Sequence, residues 1–351
     1  MSYKHGVVLG AGVSGLTTGI VLLRQGVKKV TVVGKHLAGE QTVEYASPWA
    51  GASILSFAQS SDKRLQDIDR DTLKVFHELA NNAPESGVSW CAGYQFFATE
   101  DDPNEDRYWV RDLFQDYKRL SKEELPTGCS QGYSFVSFCA NVPQYLQWLL
   151  SQFKALGGHL EKRPFDSLQD VIEHYKDADV LVNCTGLGSA HLKDVQDDSM
   201  YGVRGQTALV WAPHVKHQWY RDVTNEDKFC TYIIPRGDGS VICGGTMDAD
   251  NHDTQADPEL TKRILANCCD LHPFLAKGKG PDALKVLSIN VGFRPGRKGG
   301  IRLEKQVKRR SNGDEVIVCH NYGHSSHGYQ SSWGSSQRVW KLLSQRHLAK
   351  L

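Results

Sequence analysis

The sequence predicts an α/β protein in two parts: a parallel-sheet domain assembled from separated stretches of chain, and an interleaved, mostly antiparallel β domain. Three observations carry that reading. The chain opens on an apolar strand, a glycine-rich loop and a helix, "GVVLGAGVSGLTTGIVLL". Far downstream, "ADVLVNCTGLGS" repeats the pattern of a buried strand running into a glycine turn. Beyond it, Thr231–Pro235 and Val241–Gly244 flank "RGDGS", the turn chemistry of a hairpin rather than of a crossover.

In the opening stretch, His5 to Leu9 reads as a buried strand, Ser14 to Gln25 as a helix with Leu16, Ile20, Leu22 and Leu23 toward a sheet, and Val30 to Val33 as a second strand. In that setting Gly10, Gly12 and Gly15 form G-x-G-x-x-G, which gives a sharp turn, room for a pyrophosphate against the backbone and close helix–sheet packing. The N–H groups at the start of the helix then face the anion. The loop predicts a dinucleotide on a Rossmann-type domain. It leaves open which one, because the acidic ribose ligand usual after the second strand is missing: Val33 is followed by Gly34, Lys35 and His36, and a lysine approaching a phosphate admits NADP as well as FAD.

Further along, "ATEDDPNEDRYW" reads as a solvated loop, and Gln144 to Leu156 as an amphipathic helix ended by Gly157 and Gly158. Val180 to Val182 runs into the turn at Thr185, Gly186 and Gly188. Val316 to Cys319 and a helix from Gln330 return the chain to its first domain. The expected division is 1–58, 141–190 and 284–351 for the nucleotide domain, and 59–140 and 191–283 for the β domain.

Composition narrows the class. With 351 residues, 40% hydrophobic, and a formal charge of +1, the chain is long enough for two domains and has no bulk charge to attract nucleic acid. No apolar run approaches the roughly 20 residues that span a bilayer, so no membrane partner is expected. The nine cysteines are scattered without a C-x-x-C pair, which points to reduced thiols. His320, His324 and His327 lack carboxylate or cysteine companions at ligand spacing, so no metal site is expected.

The segments "VVLGAGVSGLTTG", "SPWAGA", "NCTGLGS", "RGQT", "YIIPR", "VGFRPGRKGG" and "HNYGHSSHGYQSSWG" stand in an order, end to end along the chain, that resembles the FAD-dependent D-amino-acid oxidase family. The resemblance implies FAD as the dinucleotide. It places cofactor contacts at Gly10, Ala11, Gly12, Val13, Ser14 and Gly15, and at Ser47, Gly51 and Ala52. Others follow at Thr185, Gly186 and Gly188, at Gly323, Ser325, Gly328, Tyr329 and Gln330, and at Arg294, with Lys35 near the ribose.

For such an enzyme, hydride transfer from Cα to flavin N5 asks the protein mainly for orientation. A planar guanidinium binds both oxygens of an α-carboxylate. Arg294 matches the family's carboxylate clamp, and Tyr232 matches the tyrosine whose hydroxyl helps hold the same group. Gly323 to Gln330, at the start of the last helix, matches the turn whose N–H groups stabilise reduced flavin, and Ser326 the residue whose carbonyl accepts from the substrate amine. No histidine–acid pattern makes that serine a nucleophile.

Side-chain choice rests on weaker matches. Met247 stands where neutral-substrate oxidases carry an aromatic residue. Arg221, in "WYRDV", is taken as the cation that would meet a side-chain carboxylate; the competing reading pairs it with Asp222 or Glu226. Lys228 is a second cation, and Ser56 would line a more polar pocket. The expectation is an oxidase of acidic D-amino acids, D-aspartate first, yielding 2-oxo acid, ammonia and hydrogen peroxide with O2 as co-substrate; a general oxidase of neutral D-amino acids is the alternative. An NAD(P) dehydrogenase should show a second nicotinamide fingerprint, and a non-catalytic flavin binder should lack Arg294 or Tyr232. The ending Ala349-Lys350-Leu351 resembles the address read by the peroxisomal import receptor, which suggests the peroxisomal matrix. A homodimer is left open.

Overall fold

The computed structural model describes residues 3–98, 105–222 and 228–345. Ala349-Lys350-Leu351 and Glu226 lie outside the described residues. The chain forms two compact units, Met1–Pro48 with Leu146–Gly202 and Pro295–Leu351, and Trp49–Tyr145 with Val203–Arg294. The edges thus fall at 48/49, 145/146, 202/203 and 294/295 rather than at 58/59, 140/141, 190/191 and 283/284. Three of them lie inside regular elements, where hydrophobic periodicity runs on unbroken and marks no boundary.

The first unit is built on a six-stranded sheet in the order β14 (Arg302–Arg309), β15 (Glu315–Tyr322), β8 (Val180–Asn183), β1 (His5–Leu9), β2 (Lys29–Gly34), β7 (His159–Lys162). From β15 to β7 every pair is parallel, and β14 is an antiparallel addition at one edge. Helix α1 (Val13–Arg24) buries Leu16, Ile20 and Leu22. Its Thr18 hydroxyl is 3.0 Å from that of Ser336 on the last helix, α6 (Ser332–Ser344). Because β1 has β2 on one side and β8 on the other, the chain reverses its sense of winding there. The loops after β1 and β8 open beside each other, the place where open α/β sheets take ligands.

The second unit is built on a nine-stranded sheet: β13 (Lys285–Arg297), β9 (Met200–Trp211), β12 (Ser240–Thr246), β11 (Phe229–Pro235), β10 (Gln218–Asp222), β4 (Val88–Phe97), β6 (Gln131–Ala140) and β3 (Ser53–Ile54), with β5 (Gln115–Arg119) also on β6. In this sheet β10 runs parallel to β4, while β9 with β12, β12 with β11, β11 with β10, β4 with β6, β3 with β6 and β5 with β6 are antiparallel. One face is covered by α5 (Pro258–Leu271), whose Ile264, Leu265 and Cys268 pack with Ala208, Val210, Ile233, Val241 and Cys243. Since side chains alternate along a strand, Ile233 toward α5 means Tyr232 away from it.

Candidate active site

In the first unit, the glycines are demanded by the backbone. Gly10 has φ +108°, and a Cβ there would lie 2.4 Å from the Cys184 carbonyl oxygen at the end of β8. A Cβ on Gly15 would lie 1.7 Å from the Gly10 carbonyl oxygen. Helix α1 starts with Gly12 as N-cap, no capping side chain and no acidic residue in its first turn, so its end carries uncancelled positive potential. The Val13 N–H donates to Ser47 Oγ (3.1 Å), and the Tyr45 hydroxyl donates to the Ala11 carbonyl (2.8 Å).

Two further stretches complete this half. After β8, the Thr185 N–H and hydroxyl both donate to Asn183 Oδ1 (3.1 and 2.8 Å), and Gly186, at φ +56°, turns the chain into the short helix Gly186–Ala190 that contains Gly188. After β15, Gly323 (φ +85°) and Ser325 (φ +51°) lead into a turn with Ser326 exposed and Gly328 close enough to α1 that an added Cβ would touch Val13 Cγ1 at 3.9 Å. The Tyr329 hydroxyl donates to the Ser47 carbonyl (2.8 Å). Burial holds His324 near pKa 4, with His327 adding to the effect, so it stays neutral. Gln330 is buried, and its Nε2 has no acceptor among the described residues. An uncapped helix start, glycines where no Cβ fits and a buried donor awaiting a partner suit a dinucleotide with anionic and carbonyl groups. Lys35 is exposed, and its ammonium is paired with the Glu44 carboxylate.

In the second unit, Arg294 and Tyr232 are brought together although 62 residues separate them. The guanidinium donates to the Thr246 carbonyl (2.9 Å) and, at 3.4 Å, to the Tyr232 hydroxyl. Among the described residues it has no carboxylate within ion-pair distance, unlike Arg297 and Arg302, which share Asp197. Burial raises the Tyr232 pKa against the opposing pull of Arg294, so the phenol keeps its proton and remains a donor. Both side chains stand on bare backbone: a Cβ on Gly244 would lie 2.0 Å from Tyr232 Cζ, and one on Gly205 2.6 Å from an Arg294 guanidinium nitrogen. Gly51 and Ala52 also belong to this unit. The Gly51 carbonyl accepts from Arg236 Nε (2.9 Å), Ala52 pairs with Ala140, and a Cβ on Gly51 would meet Ile234 Cδ1 at 2.5 Å.

Of the four side-chain candidates, Arg221 and Lys228 are committed to carboxylates rather than to this pair. Arg221 pairs across β10 and β11 with Thr231, on the α5 face, while Tyr220 pairs with Tyr232 on the opposite one. There the Arg221 guanidinium binds Asp270 of α5 at 2.7 Å. The sequence expectation that it faces the substrate is corrected by strand parity, and its partner is neither Asp222 nor, within the described residues, any other loop acid. Lys228 is held by Asp248 (3.0 Å) and Asp250 (2.5 Å). Met247 is exposed, its N–H bonded to the Lys228 carbonyl. Ser56 is buried and donates to Asp69 (2.5 Å); it lines a small cavity with Leu55, Gln95, Phe114, Tyr117 and Phe135.

Some residues of the two halves escaped sequence reasoning. Tyr45 secures the first glycine loop. Tyr220, Asp222 and Cys230 share the Tyr232 face, and Gly205 and Gly244 form its floor. The alternation in "QWYRD" carried the signal for Tyr220 and Asp222, but only the register with β11 says which parity is inward.

Two constellations on these two sheets define an enzyme of the dinucleotide-binding class: an anion cradle at a topological switch point, and a guanidinium–phenol pair free for a carboxylate. Residues 6–342 match the DAO family, described as FAD dependent oxidoreductase, and the chain belongs to that family. FAD is its cofactor. It is 37% identical to a D-amino-acid oxidase of Schizosaccharomyces pombe over 330 residues, 93% of this chain and 92% of the relative. It is 31% identical to a D-aspartate oxidase of Talaromyces thermophilus over 369 positions, 96% of this chain and 94% of the relative. Its fold is similar to that of glycine oxidase from Geobacillus kaustophilus, with TM-score 0.73 at 19% identity, covering 99% of this chain and 96% of that one.

Proposed function

We propose that the protein oxidises D-amino acids at Cα, giving the 2-oxo acid, ammonia and hydrogen peroxide. The observation that carries this reading is Arg294, a guanidinium with no carboxylate of its own among the described residues, beside the proton-bearing Tyr232. The pair binds an α-carboxylate by two charge-assisted contacts and a phenol hydrogen bond, fixing the Cα–H direction. FAD, when bound, supplies the two-electron acceptor; the chain's own share is to orient. Ser326 would offer its carbonyl to the substrate amine, and the uncapped amides of α1, with Gln330, would hold the cofactor. The D configuration rests on the names of the relatives.

The side-chain preference proposed here is for substrates without an acidic side chain, since Arg221 and Lys228 are committed to Asp270, Asp248 and Asp250. A second reading, oxidation of D-aspartate, is favoured by the Talaromyces relative. Peroxide release from matched D and L amino acids with neutral, acidic and basic side chains tests both readings. Turnover of L substrates alone would overturn the first. D-aspartate as the best substrate would establish the second.

A further inference from the structure

Strand register turns attention from Arg221 to its neighbour. In β10 and β11, Tyr220 stands opposite Tyr232 and Asp222 opposite Cys230, so Asp222 lies on the Tyr232 face, one side-chain row farther along. Its carboxylate is half-buried. It accepts from Gln95 Nε2 (3.3 Å) and from the Cys230 thiol (3.5 Å), and has no cation within ion-pair distance among the described residues. Both are neutral donors, and the thiol is a weak one, so neither cancels the charge of the acceptor. The Cys230 thiol, pushed up by burial, feels the charges of both Asp222 and Arg294. On this face the Asp222 row therefore lies about two residues of strand, or roughly 7 Å, from the row that carries Tyr232, the hydroxyl that meets the Arg294 guanidinium.

An amino acid whose α-carboxylate lies on Arg294 and Tyr232, and whose side chain follows this face, brings its tip toward Asp222. Four or five extended bonds cover that span, the length of a lysine or ornithine side chain. A terminal ammonium or guanidinium would satisfy the carboxylate; an apolar tip would leave it desolvated and unpaired; a carboxylate tip would be repelled. We propose that Asp222 selects D-amino acids with cationic side chains. This rests on the D-amino-acid oxidase reading and names the substrate class for it.

The test compares D-lysine, D-norleucine (the lysine side chain without its terminal ammonium) and D-glutamate, using the flavin-loaded enzyme and peroxide release. The wild type should favour D-lysine over D-norleucine in kcat/KM by about tenfold or more, the discrimination expected of one charge-assisted contact. Asp222→Asn should shrink that ratio about tenfold to a hundredfold, and Asp222→Arg should move the preference to D-glutamate. A purely structural role would lower all three rates together and leave the ratios alone, which would overturn the proposal. A measurement on the wild type alone guards against variants that fail to fold: 6-aminohexanoate should inhibit D-amino-acid turnover more tightly than hexanoate. Equal or reversed inhibition also overturns it. If no D-amino acid releases peroxide from flavin-loaded enzyme, the oxidase reading itself has failed; if D-norleucine is oxidised well and D-lysine poorly, the oxidase stands and only the Asp222 assignment falls.

Discussion

The glycine cradle of the first unit and the Arg294–Tyr232 face of the second do similar work by opposite means. The cradle is made of backbone. Its selectivity lies in the absence of side chains at Gly10 and Gly15, in N–H groups that no helix uses, and in short contacts made by Ser47 and Tyr45. The second face is made of side-chain tips from several strands, and the backbone only supplies a floor at Gly205 and Gly244. A backbone site is written in consecutive residues. A side-chain site is written in every second residue, and only the pairing of strands tells which half of them counts.

The sharpest contrast should come from Gly15→Ala. Its Cβ would have to displace the Gly10 carbonyl, so the variant should lose flavin absorbance and turnover together. Purified variant with a full complement of flavin would break the comparison. Arg294→Ala should separate the two properties: flavin retained, kcat/KM for every D-amino acid reduced by about 3–5 kcal/mol, which is a hundredfold or more. Turnover near wild type would mean that the substrate carboxylate is held elsewhere.

A third test sets the two units apart by pH. Burial holds His320 and His324 of the first unit near pKa 4, below the ordinary 6.5. A depressed histidine pKa stabilises the fold above the unfolded value, and that stability is lost as pH falls from 6.5 toward 4. Each group contributes up to about 3 kcal/mol. Urea midpoints should therefore drop across this window, and drop less in His320→Asn. A flat profile in the wild type would show that the two rings are solvated. The smallest effect is expected for Arg221→Met. Its partner Asp270 is 70% exposed, so the ion pair contributes less than about 1 kcal/mol, and the ratio of D-aspartate to D-alanine turnover should move less than about threefold. A selective tenfold loss on D-aspartate would return Arg221 to the substrate.

The same contrast explains what could be read in advance. The strand–loop–helix order, the second glycine turn after Val180–Asn183 and the hairpin around "RGDGS" are local patterns, and they appear in the structure where the residues announce them. Arg294 and Tyr232 were reached through the family resemblance rather than through any local cue. Arg221 was misplaced because one residue of slack in a strand exchanges its faces, and the competitor for its charge, Asp270, lies on a helix far along the chain. Lys35 follows the same logic, since its partner Glu44 lies beyond the strand that ends at Gly34 and no local pattern around Lys35 announces it.

The bare backbone at Gly244 also bears on how such an enzyme can change over generations. The Tyr232 ring rests where the smallest of side chains would intrude by more than an ångström, so no gradual series of substitutions leads through position 244 without first giving up the clamp. Among the described residues, the Asp222 carboxylate is hydrogen-bonded by Gln95 and Cys230, two side chains that leave room for change. A lineage exploring new substrates would drift at position 222 while position 244 stays fixed, and directed evolution for altered side-chain preference should recover the same asymmetry.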